Sequence, residues 1–477
     1  MTSSTKLIAT AKGADHQQLM KRVTWVVALA VLLNPLNSSM ISVALLEIGA
    51  DFGIGIATVT WLVSSFYLAA TVGQPLMGKL ADLFGPRRVF SIGMVIVIVS
   101  SLLSVSATSF GWLLVLRVVQ AFGSTCAFPA GLSILRSVTR VADDREEKSS
   151  ASSLGLISIT SNVMAAFGPT IGGLLVTYSE WQSIFWINIP VAALVLILVF
   201  KWVPADGKAQ PSEERKSVLH LIDLPGIILF SGMFVSLVLF LISLGKGTQW
   251  WLLIIVPIAA TLLIVRELRT DKPFLDVRML ASNIRLTSVY VQYAALNMVF
   301  YSLYFGLPLW LGQVRGYDPQ MAGLLMLPFA GIGVLTTPLA IRMIGRSNYR
   351  QPIIVGSSVL VIGTLLLLLL GPETPVAIIL LVTAIIGISN GMNNMGLSSA
   401  LYSNTNPENT GVASGLFQTF RSVGSIFSTS LLGLIFGGSV TTSGLHIIAI
   451  VAAVISAGLL AVACVPLGLL KQASGRN

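Results

Sequence analysis

Two arginines stand inside long apolar runs of this chain. Arg117 lies within LLVLRVVQAFGST and Arg421 within ASGLFQTFRSVGSIFS. A charge surrounded by hydrocarbon is costly, so each marks a gate, a buried network or a ligand contact. Gln120 and Ser124 follow Arg117 on one helical face, and Ser414, Gln418 and Ser425 share a face with Arg421. Arg421 could equally lie near a membrane surface and snorkel to it. Tyr290, Tyr293, Asn297, Tyr301 and Tyr304 are spaced 3, 4, 4 and 3 residues apart, another single face. Asn34 and Asn37 with Ser38, and Asn390, Asn393, Asn394 and Ser398, form two further polar stripes. These groups suit noncovalent recognition: stacking on a flat apolar surface, amide hydrogen bonds and a fixed positive charge. They equally suit packing, the tyrosines as an interfacial belt and the asparagines as interhelical glue.

Covalent chemistry is not indicated. No nucleophile–base pair, metal cluster or phosphate loop is placed to act, so an enzyme is not expected. His16, His220 and His446 are scattered. Cys126 and Cys464 fall inside apolar runs and read as small packing residues, so no disulfide framework, metal or other cofactor is expected.

The elements that must carry these residues follow from composition. Of 477 residues, 55% are hydrophobic and 10% charged, with a mean hydropathy of +0.86. Soluble domains carry about a quarter charged residues. The solvent of this chain is therefore the lipid bilayer. Fourteen apolar runs are legible, near 23–48, 59–77, 89–106, 112–135, 154–177, 184–200, 224–244, 250–265, 286–311, 321–341, 353–370, 376–402, 412–436 and 445–470. They lack strand alternation, and only a helix satisfies its own backbone in lipid. An all-α integral membrane protein with 14 transmembrane helices is expected.

The net charge of +10 resolves into a topology. Starting with the N-terminus inside, 25 of the 29 Lys and Arg fall on inner segments, and only Lys246 and Arg315 on outer loops. Arg117 and Arg421 are the other two. That asymmetry fits the positive-inside rule with an even number of spans and both termini cytoplasmic. The basic excess is thus a topology signal, with lipid headgroups as partner and no nucleic acid. The first 22 residues are polar, so no cleaved leader is expected.

Two polar stretches, 203–222 and 266–280, divide the runs into six, two and six. The expected organisation is a tail (1–22), an N-terminal six-helix bundle (23–202), linkers with two inserted helices (203–280), a C-terminal six-helix bundle (281–470) and a second tail (471–477). PLMGKLADLFGPRR (75–88) and PLAIRMIGRSNYR (338–350) echo each other weakly at the ends of spans 2 and 10. Parallel six-helix repeats are a transporter architecture.

The loop after span 2 carries the most specific pattern, GKLADLFGPRR, with Gly78, Asp82, Gly85, Arg87 and Arg88. Glycines permit a tight turn, and an acid beside arginines at helix ends makes charge-assisted contacts that break when helices move. The spacing resembles the cytoplasmic signature of the major facilitator superfamily. Three stretches fit the same family. Arg117 and Gln120 resemble its Arg-x-x-Gln-Gly pattern, with Ala121 at the Gly. FGPTIGG, with Gly168, Pro169, Gly172 and Gly173, resembles the end of the exporters' antiporter motif, whose earlier glycines are Ile157 and Met164 here. WQSIFWINIP and Asp223-Leu224-Pro225-Gly226 are similar to the sixth and seventh spans of fourteen-span drug exporters.

What the resemblance implies is a drug/proton antiporter-like multidrug efflux transporter in a bacterial inner (plasma) membrane. It would be a monomer that moves a small-molecule substrate by alternating access, with a proton gradient as its energy source. Cavity-lining helices would be spans 1, 4, 9 and 12, which carry Asn34, Asn37, Gln120, Tyr293, Asn297, Tyr301, Asn390 and Asn394 as substrate contacts. Arg117 and the glycine and loop motifs would gate. One departure matters: LNSSMISVALL (36–46) puts Asn37 at the family's intramembrane Asp. The 19 acids lie in tails, loops or span ends, so a neutral, zwitterionic or anionic solute is expected. Coupling would then use a rim acid such as Glu47 or Asp82, or the solute's own ionisation. A facilitator or importer of a neutral or anionic solute is the second reading, and a non-transporting sensor or lipid-handling scaffold the third.

Overall fold

The computed structural model describes residues 18–139, 160, 164, 167–206, 224–243, 248–270, 278, 283–405 and 410–464. Every regular element among the described residues is helical. In chain order they are α1 (Gln18–Asp51), α2 (Trp61–Phe84), α3 (Pro86–Val105), α4 (Phe110–Leu135), α5 (167–178), α6 (Ser183–Trp202) and α7 (Leu224–Ser243). Then follow α8 (Trp250–Arg269), α9 (Ile284–Gln313), α10 (Pro319–Arg346), α11 (Arg350–Leu366), α12 (Val376–Ser403), α13 (Thr410–Phe436) and α14 (Thr442–Cys464). Among the described residues, 12 helices are long and apolar enough to cross a membrane. Of the fourteen expected runs, the fifth is described only in part, and the seventh holds a shorter apolar stretch, Pro225–Leu237.

Local chemistry sets the helix starts. Gly85 adopts φ +96°, and Pro86 follows as the first residue of α3. Only glycine takes that φ cheaply, and proline is preorganised for a helix start. Ser109 accepts from the Trp112 N–H ahead of α4, and Asp318 caps α10 by accepting from the Met321 N–H at 2.7 Å. Large apolar side chains stay uncovered along the helices, among them Leu335 (76% exposed), Val454 (67%) and Phe200 (63%). In water such surfaces would aggregate; in a bilayer they meet lipid. Trp250 and Trp251 start α8 exposed, as interfacial anchors do.

The chain groups into two compact units. The first comprises Met1–Asn37, Gly73–Met164 and Phe185–Val218. There α3 packs on α4 and α6. A Cβ on Gly93 would stand 2.8 Å from the Gly123 carbonyl, so α3 and α4 cross with backbones nearly touching. Cys126 is buried at that crossing and serves packing.

The second unit comprises Ser38–Val72, Ala165–Ile184 and Leu219–Asn477. Its boundary does not follow the two sixes: parts of α1 and α2, and α5, group with the C-terminal residues. Within it α9 packs on α13, α12 on α10 and α11, and α11 on α14. The pair α7–α8 attaches to α13, with Phe234 and Phe427 rings 6.4 Å apart.

Candidate functional site

In the first unit, the polar residues converge on Asn37. Arg117 is 1% exposed; its Nη2 donates to the Asn37 carbonyl at 2.8 Å and its Nη1 to Gln120 Oε1 at 2.7 Å. Gln120 Nε2 donates onward to Ser101 Oγ at 2.8 Å. Asn188, from the INIP run of α6, donates Nδ2 to Asn37 Oδ1 at 2.8 Å. Phe185 lies under the Arg117 guanidinium at 5.9 Å. One residue therefore ties α1 to α4 and α6, and Gln120 extends the network to α3. Among the described residues, the buried Asn37 Nδ2 has no hydrogen-bond partner. Both ends of the Gln120 amide are engaged inside the protein. Half-buried Asn34 donates to Ser124 Oγ at 3.3 Å.

Gly85, Arg87 and Arg88 of GKLADLFGPRR gather around an acid that does not stand out in the sequence. Asp206, four residues past α6, accepts from the Arg87 N–H (3.0 Å) and the Arg88 N–H (2.9 Å). A carboxylate at a helix N-terminus is favoured by the orphan N–H groups and the macrodipole. Gly85 makes room: a Cβ there would lie 2.5 Å from the Asp206 carboxyl carbon. Arg87 Nη2 donates to the Phe200 carbonyl at 3.2 Å. Gly78 faces Pro129 across an ordinary contact. Asp82 occupies the last turn of α2, and its side chain is outside the described part of the chain.

In the second unit, the glycines of FGPTIGG set α5 against two partners. Cβ atoms on Gly168 and Gly172 would strike Ser39 and Met40 of α1. A Cβ on Gly173 would strike the Pro319 carbonyl, and one on Gly323 the Pro169 carbonyl. Thr170 Oγ1 donates to the Gly323 carbonyl at 2.9 Å, and the Gln320 N–H to Thr177 Oγ1 at 3.0 Å. Glycines on both sides of the crossing let α5 and α10 meet backbone to backbone. Trp181 Nε1 donates to Asp51 at 2.9 Å.

The aromatic stripe of α9 faces α2 and α13. Tyr301, 3% exposed, has its ring 5.1 Å from that of Tyr67 and its hydroxyl against the Arg421 guanidinium, with Nε at 3.1 Å and Nη2 at 2.8 Å. Tyr293 stacks on Phe417 at 3.6 Å, and Asn297 donates to the Tyr293 carbonyl at 2.7 Å. Tyr290 stacks on Phe420 and donates to the Ala413 carbonyl, a packing position. Tyr67 and Ser64, which donates to or accepts from Thr429 at 2.6 Å, were missed in the sequence. Their α2 face is mostly Ser, Ala and Thr, and carries no strong polar stripe. On α12, Asn390 and Asn394 are half-buried and bonded to each other. Asn393 is buried and bonds Ser357 and Ser389, joining α12 to α11. Among the described residues, no group of His, Cys, Asp or Glu could hold a metal ion.

Comparison with known proteins places this geometry in a wider set. The family model described as Major Facilitator Superfamily matches residues 27–429. The MFS-type transporter YwoD of Bacillus subtilis (strain 168) is 36% identical over 449 residues, covering 94% of this chain and 97% of that protein. The multidrug resistance protein Stp of Mycobacterium tuberculosis (strain CDC 1551 / Oshkosh) is 28% identical, covering 83% of this chain and 72% of that protein. The crystal structure of a point mutant of the nucleoside transporter NupG shares the fold, with a TM-score of 0.64 at 13% identity over 93% of this chain and 98% of that one.

Proposed function

The chain belongs to the major facilitator superfamily, and from that premise we propose that it is a fourteen-span secondary transporter that exports drug-like or metabolite small molecules. It is a multi-pass membrane protein, and in this reading both termini face the cytoplasm of a bacterium. Two six-helix bundles alternate access to a midplane site, powered by the proton gradient. The observation that carries the reading is the α5–α10 crossing. Its facing glycines make a backbone seal that a few ångströms of helix movement would break, which is what an alternating gate requires. The likeness to a multidrug resistance protein supports export, and the tyrosines of α9 supply flat faces for such solutes.

A second reading is favoured by Asn37. An amide there cannot carry a proton through the membrane, as a facilitator or importer of a neutral or anionic solute would not need it to. Everted membrane vesicles separate the two. Uptake of ethidium, riboflavin or fluorescein that requires an inside-acid gradient supports export by proton exchange. Equal exchange without a gradient supports the facilitator. No uptake in either condition removes both.

A further inference from the structure

We propose that Arg421 anchors an anion-binding subsite on α13 that takes the carboxylate of a flat aromatic solute. This rests on the transport reading above and names its substrate class.

Arg421 sits about three turns from one end of α13 and about four from the other. The residue is half-buried overall. A guanidinium at this depth is costly against hydrocarbon, so it calls for polar partners or a ligand. Nε and Nη2 both donate to one neutral acceptor, Tyr301 Oη. Among the described residues, Arg421 makes no other hydrogen bond and no ion pair. A phenol orients the charge without cancelling it. An incoming carboxylate would cancel it through charge-assisted bonds in the planar fork that arginine presents. Flat faces stand beside the cation. Tyr301 lies parallel to Phe305 at 5.7 Å and borders Tyr67. Phe417, one turn before Arg421, stacks on Tyr293. Gln418, one turn before it on α13, and Asn297, which meets Gly424 of the same helix, are neutral. Among the described residues no carboxylate pairs with Arg421, so a cationic solute would meet like charge here.

Fluorescein and rhodamine 123 test this directly, because they share a xanthene ring while one is a carboxylate and the other an esterified cation. Binding is read as fluorescence anisotropy with the purified full-length protein in detergent. The expected result is saturable fluorescein binding, weaker rhodamine 123 binding, and about a tenfold or greater loss of fluorescein affinity in Arg421→Gln. Arg421→Lys keeps the charge without the fork and should fall between. Tyr301→Phe releases the guanidinium and should keep or tighten fluorescein binding, which carries the test if Arg421→Gln does not fold. Equal or tighter binding of rhodamine 123, no saturable fluorescein binding, or full fluorescein affinity in Arg421→Gln overturns the subsite. Fluorescein held through Arg421 but never moved across a vesicle membrane supports the subsite and counts against the transport reading.

Discussion

The side-chain amide of Asn188 donates to Oδ1 of Asn37 at 2.8 Å, while the buried Nδ2 group of Asn37 has no partner among the described residues. A carboxylate at position 37 would keep the acceptor for Asn188, remove the orphan donor and place an anion close to Arg117. Asn37→Asp is therefore expected to fold with an unchanged or higher melting temperature at neutral pH. Its transport should also depend more steeply on the pH gradient. Uptake in everted vesicles across a series of imposed gradients measures this; a profile identical to that of the unmodified chain would show that the amide is not what sets coupling.

Asn188→Ala makes the opposite change. It strands Oδ1 of Asn37 in a buried site, at a cost of about 1–3 kcal/mol. A lower melting temperature of the purified protein is expected.

The α5–α10 seal predicts that bulk at Gly173 is not tolerated in the closed state. Gly173→Leu should express but lose most transport, and a cysteine at Thr177 should become more reactive to a membrane-impermeant maleimide. Retained transport with unchanged labelling would remove the crossing from the gate.

At the turn between α2 and α3, Asp206→Ala removes the carboxylate that caps α3, worth about 1 kcal/mol. Faster proteolysis after α6 and a modestly lower melting temperature are expected. Asp82→Asn should instead reduce transport strongly while leaving expression largely intact. Similar behaviour of the two variants would give Asp82 and Asp206 one shared role.

Tyr301 and Tyr290 share a stripe but not a setting. Tyr301 meets Arg421 and Tyr67, whereas Tyr290 is stacked on Phe420 and hydrogen-bonded to Ala413. Tyr301→Ala should shift the range of compounds that stabilise the protein in a thermal-shift screen. Tyr290→Ala should lower the melting temperature itself. Equal effects of the two would make the whole stripe a packing surface.

Much of the architecture was legible because lipid leaves few options. Apolar runs must be helices, and the placement of Arg and Lys restricts how they thread. The tight turn at Gly85 was readable as a glycine-dependent feature, whereas Gly168, Gly172 and Gly173 stood out only through the resemblance to the exporters' motif, and neither their close packing nor their partners were readable. Gly323, Pro319 and Met40 are distant in the chain, and glycine spacing does not say which helix it receives. Asp206 looked like linker charge because its partners are backbone N–H groups, which have no sequence signature. Tyr67 carried no signal, since a single tyrosine in an apolar helix looks the same at a belt, in a core or beside an arginine. Arg421 stood out as a charge in an apolar run, but only its placement mid-helix against Tyr301 separates a recognition role from snorkelling.

Solute movement by the purified protein in liposomes decides whether this chain is a gradient-driven transporter. The solute to use is the compound that gives the largest thermal shift. Saturable uptake above that of empty liposomes is expected, driven by an imposed pH gradient and abolished by Gly173→Leu. Uptake no faster than in empty liposomes, with or without the gradient, would contradict transport by this chain.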